Sequence, residues 1–115
     1  MLPYDDWEWE IEMDVNAPPC DDLFPTGIGG VLYFPGSLAY EVTNREALRT
    51  LCPRADDVWL YWMSRMAGTG YRQVGGSFKQ IPWPTSQRVS LYSVNVVGGQ
   101  NDVQICAMED NYGLY

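Results

Sequence analysis

Apolar side chains recur at helical spacing in one stretch of this chain, and that stretch predicts an amphipathic α-helix. Asp56 is placed to cap its amino-terminal end, and Gly68 is placed to stop its carboxyl-terminal end. The apolar stripe is expected to face the core, whereas Tyr61 and Ser64 fall on other faces and are expected to line a groove. The stripe consists of Trp59, Trp62, Met63 and Met66, at positions i, i+3, i+4 and i+7.

A second, shorter helix is predicted just upstream. Thr43 followed by Glu46 fits a capping box, in which the two side chains satisfy free backbone N–H groups at a helix start. The helix is expected to run through Leu51. It must end by Pro53, because proline restricts the residue before it and cannot continue the hydrogen-bonding pattern.

Residues 7–15 alternate between apolar and acidic side chains, a period of two that predicts a β-strand with one face of each kind. The acidic face could bind a cation. The favoured interpretation is that its like charges keep an edge strand from pairing with other chains. A helix is the remaining alternative, because glutamate is a good helix former. The apolar positions are Trp7, Trp9, Ile11, Met13 and Val15, and the acidic ones are Glu8, Glu10, Glu12 and Asp14.

Several further segments predict strands and turns. Residues 26–34 predict a glycine-led turn into a buried strand, residues 71–74 predict another strand, and residues 89–94 alternate as a strand does. Residues 102–107 fit either a strand or a helix, and the tail after Glu109 is expected to be loose. We therefore expect an α+β fold with a small, mostly antiparallel or mixed sheet and two short helices.

The length and composition predict one folded domain. The chain has 115 residues, of which 46% are hydrophobic, and it contains five Trp and eight Tyr, so a largely disordered chain is excluded. Within residues 1–115 we expect an acidic strand and loop over residues 1–22, a core over 23–107 and a tail over 108–115.

The charge excludes one class of partner. The net charge is −8, and more than half of the fifteen acidic residues lie in the first 22 positions. Such a chain repels phosphates, so we expect no nucleic acid partner. No apolar run approaches the roughly 18 residues that a membrane span needs, and no basic leader is visible. With three widely separated cysteines expected to be reduced, the sequence predicts a cytoplasmic protein without a membrane span.

Histidine is absent, which excludes imidazole bases and the serine or cysteine nucleophiles that depend on them. The strongest candidates for chemistry are the adjacent carboxylates Asp56 and Asp57, at the start of the longer predicted helix. One interpretation is a helix cap plus a favourable charge at the positive end of the helix dipole. The other is that Asp56 is the cap and Asp57 is a positioned general base.

Three stretches together resemble a known family. They are FPTGIGGVLYFPGSL, NREALRTLCPRADDVWLYWMSRMAGTG and SVNVVGGQNDVQI, in this order over residues 23–105. The most specific part is the Gly-Gly-Val-Leu-Tyr segment combined with Cys-Pro-x-Ala-Asp-Asp-x-Trp. The combination resembles the carboxyl-terminal, acceptor-site half of bacterial polysaccharide glycosyltransferases with the GT-A fold.

The resemblance implies an activity and a set of site residues. In that family the amino-terminal half holds a nucleotide-sugar through a divalent cation, and the carboxyl-terminal half shapes the acceptor site. The resemblance places Asp57 as the base that deprotonates the acceptor hydroxyl, with Asp56 beside it. The candidate catalytic residues are therefore Asp57 and Asp56, and the candidate substrate-binding residues are Gly29, Gly30, Tyr33, Trp59 and Trp83.

Three functions follow as hypotheses. The first is a glycosyltransferase-like acceptor-site module that binds a carbohydrate and is inactive alone, because these 115 residues contain no nucleotide-sugar-binding half. It would have no cofactor of its own, and a divalent cation would be needed only if a donor-binding partner supplied the site. The second is a non-catalytic, self-associating interaction protein from a relic or mobile gene. The third is a small hydrolase with paired carboxylates. We expect a homodimer in either of the first two cases.

Overall fold

The structure, a computed structural model, describes residues 2–8, 18–20, 23–74, 84 and 99–113. These residues form three α-helices and short 3-10 turns joined by irregular segments. The helices are α1 (Arg45–Leu51), α2 (Asp56–Met66) and α3 (Gln100–Tyr112), and the turns are Tyr4–Asp6, Gly27–Gly29 and Tyr40–Thr43. In this part of the chain no helix is both long enough and apolar enough to cross a membrane.

The predicted α+β class is wrong, because the described part of the chain is mostly helical and contains no sheet. Its β-type pairing is an isolated antiparallel bridge between Cys20 and Tyr71, with N–H···O distances of 2.7 and 2.9 Å. Residues 71–74 therefore do not continue as a strand. Residues 31–34 have the period of a strand, but no other segment among the described residues forms a ladder with them. An apolar run becomes a strand only where a second backbone lies beside it.

Asn44, and not Thr43, is the cap of α1. The Asn44 side chain accepts a hydrogen bond from the Ala47 N–H at 3.1 Å, and its amide nitrogen donates to Glu41 Oε1 at 2.7 Å. Thr43 lies one residue too early, in the preceding 3-10 turn, so the predicted capping box is wrong. The predicted end of α1 before Pro53 is confirmed, because the helix stops at Leu51.

Helix α2 begins one residue earlier than its predicted cap implied. Ala55 occupies the cap position and no side chain caps the helix, so Asp56 and Asp57 are both first-turn residues. The prediction that Asp56 caps α2 is therefore wrong. Both carboxylates still lie at the positive end of the helix dipole, where negative charge is favourable.

The carboxyl-terminal end of α2 is confirmed at Gly68. This glycine has φ +76°, the left-handed conformation that favours glycine. Its N–H donates to the Arg65 carbonyl at 3.0 Å, and the Thr69 N–H donates to the Ser64 carbonyl at 2.9 Å. These two bonds form a Schellman motif, which satisfies carbonyls that the helix end would leave free.

Helix α2 is the centre of the core. The predicted stripe is confirmed as core, with Trp59, Trp62 and Met63 at most 2% exposed and Met66 half-buried. The prediction that Tyr61 and Ser64 line a groove is wrong, because they are also buried. The reason is that segments distant in sequence cover these faces: Tyr61 packs on Phe24 and Tyr71, and Ser64 is hydrogen-bonded to Tyr71.

Residues 102–107, which were expected to form either a strand or a helix, are helical and belong to α3. Ile105 and Met108 face the core, and the helix continues through Tyr112. The expectation of a loose tail after Glu109 is thus wrong for the residues up to Gly113. The Gly113 carbonyl accepts a hydrogen bond from the Trp62 indole at 2.9 Å, which attaches the end of α3 to the core.

Some predicted features lie outside the described residues. They include most of the alternating segment 7–15, the segment 89–94 and Trp83. At the start of the first segment, Trp7 packs edge-to-face on Phe24, with 4.9 Å between ring centroids.

Candidate functional site

A cavity of about 200 Å³ lies beside the first turn of α2. Since a water molecule takes up roughly 30 Å³ in the liquid, the cavity has room for a few waters or for one small ring. Its wall combines two carboxylates and a phenol with apolar groups. The lining residues are Pro25, Gly27, Val31, Tyr33, Asp56, Asp57 and Leu60.

The linker between α1 and α2 holds the two carboxylates in place. Pro53 prevents α1 from continuing, and the Cys52 N–H closes that helix on the Leu48 carbonyl at 2.9 Å. The Arg54 N–H then donates to Gln104 Oε1 on α3 at 2.9 Å. The linker is thereby attached to a helix distant in sequence, and the start of α2 is fixed against the core.

Asp57 is a half-buried carboxylate with increased basicity. Burial raises the pKa of its carboxyl, and the neighbouring charge of Asp56 raises it further. Hydrogen bonds from backbone N–H groups, including that of Val58 at 2.9 Å, act in the opposite direction without cancelling the increase in pKa. A carboxylate with a raised pKa is a better proton acceptor, which is the property a general base needs.

Tyr33 brings a phenol to the same cavity from a separate segment. Burial is the main cause that raises the pKa of its hydroxyl, followed by a hydrogen bond with Tyr71 and the charges of Tyr71, Asp56 and Asp57. The Tyr33 and Tyr71 rings pack edge-to-face, with centroids 6.4 Å apart. Tyr33 is therefore protonated at neutral pH and serves as a hydrogen-bonding group.

The structure brings together three of the residues predicted for the site, Tyr33, Asp56 and Asp57. Gly29 and Gly30 are exposed and follow the lining residue Gly27, but they do not line the cavity.

Trp59 is only 2% exposed and belongs to the core. Its indole donates to the Val42 carbonyl at 3.3 Å and packs on Tyr112. Trp59 therefore does not reach the cavity. Trp83 lies outside the described residues.

No family model, no curated protein and no solved structure matches this chain. The function is therefore inferred from the cavity and its residues.

Sequence reasoning missed the apolar part of the cavity wall. Leu60 stands three residues after Asp57, a spacing that places two side chains on the same helix face and that signals their proximity. Pro25 and Val31 gave no comparable signal, because a contact between separate segments depends on the tertiary fold.

The described residues contain no group of three or more His, Cys, Asp or Glu side chains that could hold a metal ion. The polar groups of the cavity suit hydrogen bonding to a small polar ligand and proton transfer at Asp57.

Proposed function

We propose that the cavity beside Asp57 binds the acceptor of a glycosyl transfer, and that this chain is an acceptor-site module. The observation that supports the proposal is a basic, half-buried carboxylate facing a cavity with room for one small ring. The sequence resemblance to acceptor-site halves supports the same role for Asp57. Carbohydrates suit such a wall, because their hydroxyl groups donate to carboxylates and their C–H faces pack on apolar side chains such as Leu60.

In the proposed reaction, Asp57 removes the proton from an acceptor hydroxyl as its oxygen attacks the anomeric carbon of a sugar donor. The bond from that carbon to the nucleoside diphosphate breaks, and the diphosphate leaves with the bonding electrons. A positioned base contributes roughly two to four orders of magnitude in rate. Positioning the donor and neutralising its diphosphate contribute the rest. We assign those tasks, including any divalent cation, to a partner chain, so this chain is expected to be inactive alone.

Carbohydrate binding can be tested directly. Methyl glucoside, methyl galactoside and methyl mannoside are titrated into the protein, with binding followed by NMR chemical shifts of the residues around the cavity. We expect at least one glycoside to bind, and Asp57→Asn to weaken it about tenfold, because a hydrogen bond to a charged acceptor becomes one to a neutral acceptor. Asp110→Asn, on an exposed position of α3, is the matched control. Absence of binding by all three glycosides would contradict the proposal.

A self-associating interaction protein is the second candidate, because two apolar side chains in one short segment are exposed. Leu32 is 93% and Phe34 is 64% exposed, whereas Val31 and Tyr33, which alternate with them along the chain, pack on the core. Adjacent exposed apolar side chains often belong to interfaces. We propose a homodimer on this face. Sedimentation equilibrium should show a dimer that Leu32→Ser weakens and Val103→Ser, a similar change at an exposed residue of α3, does not. A monomer at high concentration would rule out the dimer.

A further inference from the structure

Five aromatic rings form a continuous row from the amino-terminal segment to the cavity. Trp7 packs edge-to-face on Phe24, and Phe24 packs on Tyr61 of α2. Tyr61 stacks on Tyr71, whose ring contacts the cavity residue Tyr33 edge-to-face. The centroid distances along the row, from Trp7 to Tyr33, are 4.9, 5.1, 6.4 and 6.4 Å. The row therefore connects a segment distant in sequence to the wall of the cavity.

The contact between Phe24 and Tyr61 joins two walls of the cavity. Phe24 directly precedes the lining residue Pro25, and Tyr61 directly follows the lining residue Leu60 of α2. The two rings lie 5.1 Å apart at an angle of 44°. Aromatic rings at this separation attract each other beyond the effect of their burial. The approach of Pro25 to Leu60 therefore depends on this ring pair, although neither ring lines the cavity.

The amino-terminal turn Tyr4–Asp6 is anchored at a second point, on α3. The Tyr4 N–H donates to Asp102 Oδ1 at 2.7 Å, a bond between residues 98 positions apart. The Tyr4 ring packs on the Trp7 ring with 4.9 Å between centroids, and the Trp7 indole donates to the Leu2 carbonyl at 2.9 Å. These contacts hold Trp7 in place, so Phe24 has a fixed partner in the amino-terminal segment as well as one in α2.

We propose that Trp7 is a positioning residue, which the amino-terminal turn holds against Phe24 and which thereby keeps the cavity in its binding shape. The inference rests on the proposed function for its ligand, and it adds a segment that controls affinity without touching the bound acceptor. The dependence is reciprocal, because a turn that favours the ligand when docked is itself favoured by the ligand by the same factor. Occupation of the cavity is thus coupled to docking of the amino-terminal turn.

The first pair of variants acts on the ring contact. Trp7→Ser removes the ring that packs on Phe24, and Trp7→Phe keeps an aromatic ring at the same place. Cross-relaxation between the ring protons of Phe24 and Tyr61 in the free protein, which we call the wall signal, measures how closely the two walls approach. We expect the wall signal to weaken in Trp7→Ser and to be retained in Trp7→Phe. Tyr40→Ser, which removes a ring that is 95% exposed, is the matched control.

The second pair of variants releases the turn by another route. Asp102→Ala removes the acceptor of the Tyr4 N–H, whereas Asp102→Asn loses the same negative charge but keeps an acceptor oxygen. We expect Asp102→Ala to weaken the wall signal and Asp102→Asn to retain it. The ring pair Trp59–Tyr112, with centroids 6.0 Å apart, is the internal reference, because a general loss of stability would weaken its cross-relaxation as well.

Binding is then measured with whichever of the three methyl glycosides binds best to the wild type. We expect Trp7→Ser to weaken binding roughly threefold to tenfold, the equivalent of one aromatic ring pair. Asp102→Ala should act in the same direction. Trp7→Phe, Asp102→Asn and Tyr40→Ser should bind like the wild type.

The outcomes separate the two proposals. If a glycoside binds equally well to the wild type and to Trp7→Ser, the inference is wrong and the proposed function stands. If no glycoside binds, the proposed function fails, and the wall signal of the free protein still decides on the role of Trp7. A loss of the wall signal in Trp7→Ser and Asp102→Ala, with the reference pair unchanged, supports the inference. A wall signal that stays the same, or that falls together with the reference pair, overturns it.

Discussion

Gln104 accepts a hydrogen bond from the backbone N–H of Arg54 at 2.9 Å, a contact between residues 50 positions apart. Gln104 is 3% exposed, and its side-chain amide also donates to the Gln100 carbonyl at 3.0 Å. One side chain of α3 thus holds the linker between α1 and α2, and the two carboxylates of the cavity come directly after this linker in the chain.

Gln104→Leu should destabilise the protein and loosen the cavity. The variant removes the acceptor of a part-buried hydrogen bond, which costs about 0.5–1.5 kcal/mol. Urea unfolding measures the change in free energy. Val103→Ala, at an exposed neighbouring position, is the control and should stay within about 0.5 kcal/mol. Equal stability of the two variants would show that the bond does not hold the linker.

Gly68→Ala should lower the free energy of unfolding by about 1–2 kcal/mol, because an L-residue in the left-handed conformation is strained. A methyl group at Gly68 would meet no atom within 4 Å, so the loss is conformational and not a clash. Gly27→Ala is a matched control for stability, since its methyl group also meets no atom within 4 Å and the glycine has no positive φ. A similar loss in both variants would contradict the role of the Schellman motif.

The raised pKa of Asp57 predicts a pH dependence with a definite sign. Burial favours the protonated carboxyl in the folded state. Between the ordinary pKa and the raised one, the folded protein binds more protons than the unfolded chain, so stability falls as the pH rises through this window. Asp57→Asn should remove that fall and be more stable than the wild type at neutral pH. Urea unfolding from about pH 4 to about pH 7 checks this, with Asp110→Asn, the same change at an exposed residue of α3, as the control.

The cysteines should differ sharply in reactivity. Cys52 is 2% exposed, and burial followed by the charge of Asp57 raises the pKa of its thiol to about 12. The thiolate is the reactive form, so Cys52 should resist alkylation until the protein unfolds. Cys106 is exposed on α3 and should react in the folded state. Peptide mass spectrometry after short alkylation measures both, and rapid labelling of Cys52 would show that this part of the core opens easily.

Two helix caps and the strand over residues 31–34 are the features that were predicted wrongly from this sequence. Thr43 and Asn44 are both good caps, and the choice between them depended on where the preceding 3-10 turn placed each side chain. Residues 31–34 have the period of a strand, but a strand also requires a partner backbone, and the pattern carries no information about one.

The sequence by itself determined the features that depend on neighbours along the chain. These are the core stripe of α2, the stop at Gly68 and the end of α1 before Pro53. Helical periodicity and backbone restrictions act over a few residues, so they can be recognised in the sequence without knowledge of the tertiary structure.

Only the tertiary structure decided what surrounds Asp57. It brought Tyr33 to the same cavity, packed the Tyr71 ring against it, and attached the linker to Gln104. The pKa of a carboxyl depends on its burial and on the groups around it, and the packing of the folded chain sets both.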